Sequence, residues 1–368
     1  MIRISRVKNK RELNDFIKFP YKIYKNDKNW TPPLISDQID FFNPKKNPFF
    51  EHADVELFLA FKDNDLAGRI AAIVNYNHID FHNEKAGFFG FFESINDFDV
   101  TKGLFESSIE WLKDKGMEIV RGPMNFSTND ECGLLIEGFN ESPMIMMPYN
   151  PEYYIDLIER YGFLKAMDLY AYSLKGNPPE RLIRFFNKIS DKTNIKIRKI
   201  DMKRFYEEID RIMDIYNSAW EKNWGFIPLT DKEIRYHAIR LKKIADPNLI
   251  LFAEVDNTHV GFISAIPNIN PVLKKINGNL FPFGIFKYIY YSRKIDSVRV
   301  ITLGIIRDYR NMGIDSLLIL ELWKRGIDGG YRFGEMSWIL ESNILMRRGI
   351  EKIGGLPYKR YRIYELKL

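Results

Sequence analysis

The sequence holds a single cysteine, Cys132, among its 368 residues. One thiol excludes any disulfide within the chain and suits a reducing compartment. No apolar run reaches the length of a membrane span, and no basic-then-apolar stretch opens the chain. A cytoplasmic protein is the expectation, with peripheral contact at the inner membrane left open by one segment described below. Histidine is scarce, at 5 residues, and no metal centre is expected. The run His78-Ile79-Asp80-Phe81-His82 places three ligand-type side chains at alternate positions, as on one strand face. It lies in a turn region and reads better as surface histidines. A large charge imbalance is also missing. Lys and Arg number 55 against 49 Asp and Glu, and no long basic arm or RNA-binding motif appears. Nucleic acid is therefore not an expected partner.

What is present describes a globular chain of more than one core. Hydrophobic residues make up 45% and charged residues 28%, and the length favours two domains. Aromatic content of 15% fits large apolar cores or an apolar ligand cleft. The fold class expected is α/β, written twice in tandem. In the first half, strands are read at 2–7, 55–62, 67–74, 87–93 and 118–122, and helices at 10–23, 99–115 and 151–161. In the second half, a strand at 195–200 precedes a helix at 205–220. Thr230-Asp231-Lys232-Glu233 then forms a capping box for the next helix. Hairpins turn at Asn64-Asp65 and at Asp256-Asn257. The domains are placed at 1–178 and 195–368, joined by 179–194 with a bridging helix at 180–188.

The most informative stretch is 299–316, RVITLGIIRDYRNMGIDS. An apolar strand enters a turn, and the turn opens into an amphipathic helix at 317–327. Helix-start N–H groups carry the positive end of the dipole and can cradle a phosphate. Gly313 allows close backbone approach, and Arg310 can add a charge-assisted contact. A strand at 332–340 follows. After it come Glu341-Ser342-Asn343 and a helix running to Glu351-Lys352-Ile353-Gly354.

This spacing resembles the coenzyme A pyrophosphate loop and the second motif of the GNAT N-acyltransferase superfamily. The resemblance implies two tandem GNAT-like domains, each a mixed, mostly antiparallel twisted sheet flanked by helices. It implies acetyl-CoA or a longer acyl-CoA as co-substrate, without a metal. Coenzyme contacts then fall on Arg310, Asn311, Met312, Gly313, Ile314, Asp315, Ser316 and Asn343. The pantetheine runs along Leu303, Gly304 and Ile305, where a strand amide polarises the thioester. Two positions depart from the pattern. Asp315 puts a carboxylate in the loop, and Ile350 stands where many members place a tyrosine acid. The first half has no such loop. Its counterpart at 94–100 carries Asp97 and Asp99, which suggests that this half shapes the acceptor side.

Two further stretches, 121–135 and 143–151, look like signatures of a bacterial tandem-GNAT family of about this length, and Phe19-Pro20-Tyr21 and 220–225 extend the likeness. Some members are implicated in acylating long-chain amino lipids. A small-molecule or lipid amine is therefore the implied acceptor, bound as an amphiphile in a cleft of the two domains. The cluster 125–132 offers Glu131 or Asp130 as base and Asn129 as oxyanion or acceptor contact. Asn125, Thr128 and Tyr149 are acceptor-side candidates, as are Trp220 and Trp224, which flank a loop that often covers the acceptor. Such polar residues also favour a capped loop on their own. The two tryptophans equally suit helix-end packing, and Cys132 reads as a buried structural thiol.

Residues 271–295 carry Lys274, Lys275, Lys287, Arg293 and Lys294 without an acidic residue, interleaved with phenylalanine and tyrosine. Such an element can lie on an anionic membrane surface, roof a lipid-filled groove, or pack as a helix on the adjoining domain. The functional expectation is an acyl-CoA-dependent N-acyltransferase working by direct attack in a ternary complex. A non-catalytic acyl-CoA sensor is the alternative, motivated by Ile350 and Asp315. Oligomeric state is not legible. The contrast between the two loops predicts a single coenzyme per chain, and titration calorimetry with coenzyme A checks it. Two equivalents would assign a site to each half.

Overall fold

The computed structural model describes residues 1–180, 182–184, 194–220 and 223–368. The bridging helix expected at 180–188 lies mostly outside the described residues. Along the chain come β1 (Ile2–Arg6), α1 (Lys10–Ile23), α2 (Ile35–Phe41), β2 (Ala53–Lys62), β3 (Asp65–Asn75), α3 (Tyr76–His82), β4 (Ala86–Ser94), α4 (Phe98–Asp114), β5 (Ile119–Gly122), β6 (Leu134–Glu137), α5 (Tyr154–Tyr161) and β7 (Leu164–Lys175). The second half holds β8 (Ile195–Lys199), α6 (Phe205–Trp220), α7 (Asp231–Lys242), β9 (Ile250–Val255), β10 (Thr258–Pro267), α8 (Asn270–Ile276), α9 (Gly284–Ser292), β11 (Ser297–Ile305), α10 (Ile314–Asp328), β12 (Phe333–Leu340), α11 (Ile344–Lys352) and β13 (Leu356–Lys367). Strand, helix, hairpin, strand, helix and strand recur in that order.

Local chemistry accounts for the repeated elements. Both hairpins turn on the dipeptide Asp-Asn, at Asp63-Asn64 and Asp256-Asn257, and all four residues take positive φ. Paired left-handed residues match the twist of the flanking strands. The first turn thus sits one residue before the position read from sequence. Thr230 and Glu233 form the expected capping box on α7. The His78–His82 run is helical, in α3, and not a strand face. His78 is buried there, its ring 4.5 Å from that of His82 and its Nε2 3.3 Å from Glu84. The surface reading of His78 is therefore corrected. Burial pushes its pKa down to about 4, which keeps the ring neutral. No cluster of metal-ligating side chains occurs among the described residues.

Two compact units result. The first comprises 1–169, 270–290 and 359–368, and the second 170–269 and 291–358. They differ from a simple cut at 178 because two later segments return to the first unit. One carries α8, which buries Val272, Leu273 and Ile276 while the Asn270 side chain donates to Pro143 O at 2.8 Å. The other is the end of β13, which pairs antiparallel with β5 from Tyr364↔Gly122 to Lys367↔Ile119.

In the first unit β1-β2-β3-β4 is an antiparallel run, and β4 then pairs parallel with β5. β3 and β4 are buried almost throughout, with α4 packing Val100, Leu104 and Phe105 into their core. In the second unit β8-β9-β10-β11 is antiparallel, and β11 pairs parallel with β12. There α10 packs Ile314, Leu317 and Leu318 against Leu251, Val260 and Ile263.

β4 has no room for a side chain at Gly90. A Cβ there would lie 1.9 Å from Met124 O and 2.7 Å from Met124 C, both backbone atoms. A methyl group cannot be relieved by rotamer change at that contact. Gly90→Ala should lower stability by about 3 kcal/mol or more, read by urea denaturation. A loss below about 1 kcal/mol would mean the backbone yields easily there.

Candidate active site

In the second unit β11 and β12 pair only over Ser297–Val300 and Phe333–Met336. On its other edge β11 pairs with β10, and the register slips by one residue between Ser264 and Ala265, which leaves Ile301 as the extra residue. A bulge bends the strand that carries it. β11 and β12 part at the same level. Leu303, Gly304 and Ile305 follow on β11, paired to β10 and not to β12. Backbone groups on that free edge can meet an extended ligand.

The turn after β11 leads directly to the start of α10. Gly313 is its N-cap with φ +77°, and Asn311 has φ +66°. No side chain caps this helix. Its first amides, on Ile314, Asp315 and Ser316, therefore receive no side-chain cap, with Ile314 buried and the other two half-buried. Met312 is exposed beside them. Asp315 sits in the first turn without a capping bond. The equivalent helix start in the first unit is spent. Asp97 caps α4 by accepting from Asp99 N at 2.9 Å and Val100 N at 3.4 Å, and it holds Lys62 at 2.5 Å. A carboxylate side chain caps the helix start in the first unit, and no side chain caps the one in the second.

Other residues singled out for ligand contact carry structural duties. The guanidinium of Arg310 donates to Ala219 O at 2.7 Å and Ile305 O at 3.3 Å, tying the end of α6 to the end of β11. Trp220 packs on Gly304. A Cβ on Gly304 would come within 2.6 Å of its Cζ3. The indole also meets Tyr216 at a tilt and Phe262 edge-on, with ring centroids 4.5 and 6.0 Å apart. Trp224 sits in the turn that follows, half-buried. Asn343 is the N-cap of α11, accepting from Met346 N at 3.2 Å. Ile350 is buried with Tyr172, Leu174 and Met336. Its hydrocarbon side chain offers no proton.

The 125–132 cluster of the first unit forms a self-bonded loop. Asn125 Oδ1 accepts from Phe91 N at 2.7 Å, and Asn125 Nδ2 donates to Glu131 at 3.3 Å. Ser127 Oγ accepts from Asn129 N at 3.1 Å and donates to Asp130 at 3.4 Å. Thr128 and Asn129 are at the tip. Cys132 is buried and bridges back to Met124. Tyr149 is half-buried, and its hydroxyl donates to Asp27 at 3.0 Å.

A residue the sequence reading passed over joins this group. Glu93, at the end of β4, is buried and accepts from Tyr154 Oη at 2.7 Å and Tyr24 Oη at 2.9 Å. Tyr24 Oη also lies 3.1 Å from Tyr149 O, and Arg69 stands 3.7 Å from the carboxylate. Burial raises the Glu93 pKa to about 7, against the pull of Arg69 and the two hydroxyls. A carboxyl poised near neutrality can take up or release a proton under working conditions. The only sequence signal was one glutamate ending an otherwise apolar strand.

Comparison with known proteins places this geometry in context. The chain is 35% identical over 373 residues to Protein YghO of Escherichia coli, spanning 98% of this chain and 94% of that protein. It is 34% identical over 371 residues to the bacterial ceramide synthase of Caulobacter vibrioides, spanning 98% and 96%. Among solved structures it resembles a tandem GNAT protein from the clavulanic acid biosynthesis pathway, with TM-score 0.58, 10% identity and coverage of 100% and 98%. A GCN5-related N-acetyltransferase from Sphaerobacter thermophilus gives TM-score 0.55 at 12% identity, with coverage of 100% and 95%. These two likenesses are of fold. No family model matches the chain.

Glu93 supplies a pH test. Its folded pKa of about 7 lies above the ordinary value of 4.5. A raised carboxyl pKa supports the fold fully below the unfolded value, and that support is lost as pH rises through the folded value. Glu93→Gln should therefore gain on the wild type by about 2 kcal/mol between about pH 5 and about pH 8, in urea melts at each pH. A flat difference across that range would mean Glu93 does not titrate there.

Proposed function

The chain belongs to the bacterial tandem-GNAT family, with the bacterial ceramide synthase and Protein YghO among its relatives, and from that membership we propose that it is an acyl-CoA-dependent N-acyltransferase acting on a lipid amine. The uncapped start of α10 beside the parted strands β11 and β12 carries this reading. The diphosphate of the coenzyme rests on the amides of Ile314, Asp315 and Ser316. Gly313 and Asn311 let the backbone turn toward it. The pantetheine follows Leu303, Gly304 and Ile305, where a strand N–H polarises the thioester carbonyl.

The reaction is a direct attack. The amine nitrogen bonds to the carbonyl carbon, the carbon–sulfur bond breaks, and the coenzyme leaves as its thiol. The amine gives up one proton, and the thiolate takes one. We assign the amine proton to the loop carboxylates Asp130 and Glu131, with Asn129 as a contact to the acceptor. The printed name of the Caulobacter relative motivates a long-chain amine as acceptor.

One observation favours a second reading. Ile350 is 1% exposed and cannot act as the acid that returns a proton to sulfur. A binding protein without turnover would need no such group.

Thiol release from acetyl-CoA and from palmitoyl-CoA, with sphinganine or short amines, separates the two readings. The expected outcome is amine-dependent release with amide product by mass spectrometry. Glu131→Gln should slow it by about 10²-fold, as loss of a base does. Gly313→Val should weaken coenzyme binding at least about tenfold, because a β-branched residue resists φ +77°. Coenzyme binding without release from any pairing would leave the sensor.

A further inference from the structure

Residues 270–290 return to the first unit and carry α8 and most of α9, two helices with different fates. α8 is anchored. Besides its three buried apolar residues, Lys274 Nζ donates to Lys28 O and to Ser142 Oγ, the latter at 3.1 Å. The turn after α8 is held as well. Ile35 N donates to Gly278 O at 3.1 Å, and a Cβ on Gly278 would lie 2.0 Å from Tyr21 Oη. The chain beyond it is thus fixed at its base.

α9 and the turn before it lie closer to solvent. No residue of α9 is buried. Phe281, Phe283 and Phe286 are 79%, 73% and 70% exposed, and Ile289 and Tyr290 are 51% and 57%. Within α9, residues 286, 289 and 290 are spaced to share one helical face. Isolated exposed apolar residues need no explanation, but a contiguous set of this size marks an interaction surface. The charge pattern narrows the partner. From 268 to 295 the sequence has five basic residues and no acidic one. Lys287 stands exposed within the aromatic set.

We propose that this face docks the protein on an anionic lipid surface. Phenylalanine rings enter the headgroup–acyl boundary, tyrosine hydroxyls stay with the headgroups, and lysines meet the lipid charge. No helix among the described residues is long and apolar enough to cross a membrane, so the contact is superficial. Neither the coenzyme loop nor the 125–132 cluster is part of this face, and the proposal does not depend on the catalytic reading.

Flotation of the full chain with two vesicle types tests it. Phosphatidylcholine vesicles carry no net charge, and phosphatidylcholine mixed with phosphatidylglycerol is anionic. The wild type should float with the anionic vesicles and not with the neutral ones, and raised salt should reduce the bound fraction. The double variant F283D/F286D should bind about tenfold less, and K287E should lose part of the binding. Thermal midpoints monitor folding, and K287E, at an exposed position, decides alone if the double variant is unfolded. Absence of flotation with anionic vesicles would overturn the proposal, as would equal flotation with both. A wild-type dimer in light scattering that F283D/F286D converts to monomer, without vesicle binding by the wild type, would make the face an interface between copies.

Discussion

Each unit depends on one parallel strand pair that holds together only at its start. Parallel neighbours require a crossover, and here the crossover is a helix: α4 between β4 and β5, α10 between β11 and β12. That connection brings a helix start to the carboxyl end of the first strand. The parting of the pair then leaves backbone groups that something must satisfy. What fills that space differs between the units.

In the first unit protein fills it. Met124 N donates to Phe89 O at 2.8 Å, and the Asn125 side chain takes Phe91 N. Phe126 then packs against Phe41, Phe49 and Phe91 at ring separations of 4.8, 4.9 and 5.0 Å. Asp97 completes the closure at the helix start. In the second unit no residue equivalent to Asp97 caps α10, and glycine occupies the N-cap. The same architecture thus gives one aromatic-filled unit and one whose corresponding helix start has glycine as N-cap and no side-chain cap.

In the second unit the end of β11 that has parted from β12 is supported from behind. Trp220 covers Gly304, and Arg310 ties α6 to β11 through two carbonyls. Both residues looked like ligand contacts in the sequence. In the folded chain both brace the end of β11.

Much of the fold was legible because its signals are local. Period-two apolar strands, the Asp256-Asn257 turn, the Thr230–Glu233 box and the strand-turn-helix at 299–327 depend on neighbours within a few residues. The order of elements, repeated twice, and the choice of Gly313 at a helix start were likewise determined by sequence. What tertiary structure decided involves partners far apart in the chain. Glu93 acquires its pKa from Tyr24, Arg69 and Tyr154, which no spacing rule connects. His78 is buried because α3 turns it inward toward Phe88. Residues 270–290 join the first unit through Pro143, Lys28 and Tyr21, more than a hundred positions earlier. Backbone preference acts over one or two turns and can be read from sequence. Burial, and with it charge state and unit membership, arises from the sum of distant contacts, and only the folded chain supplies that sum.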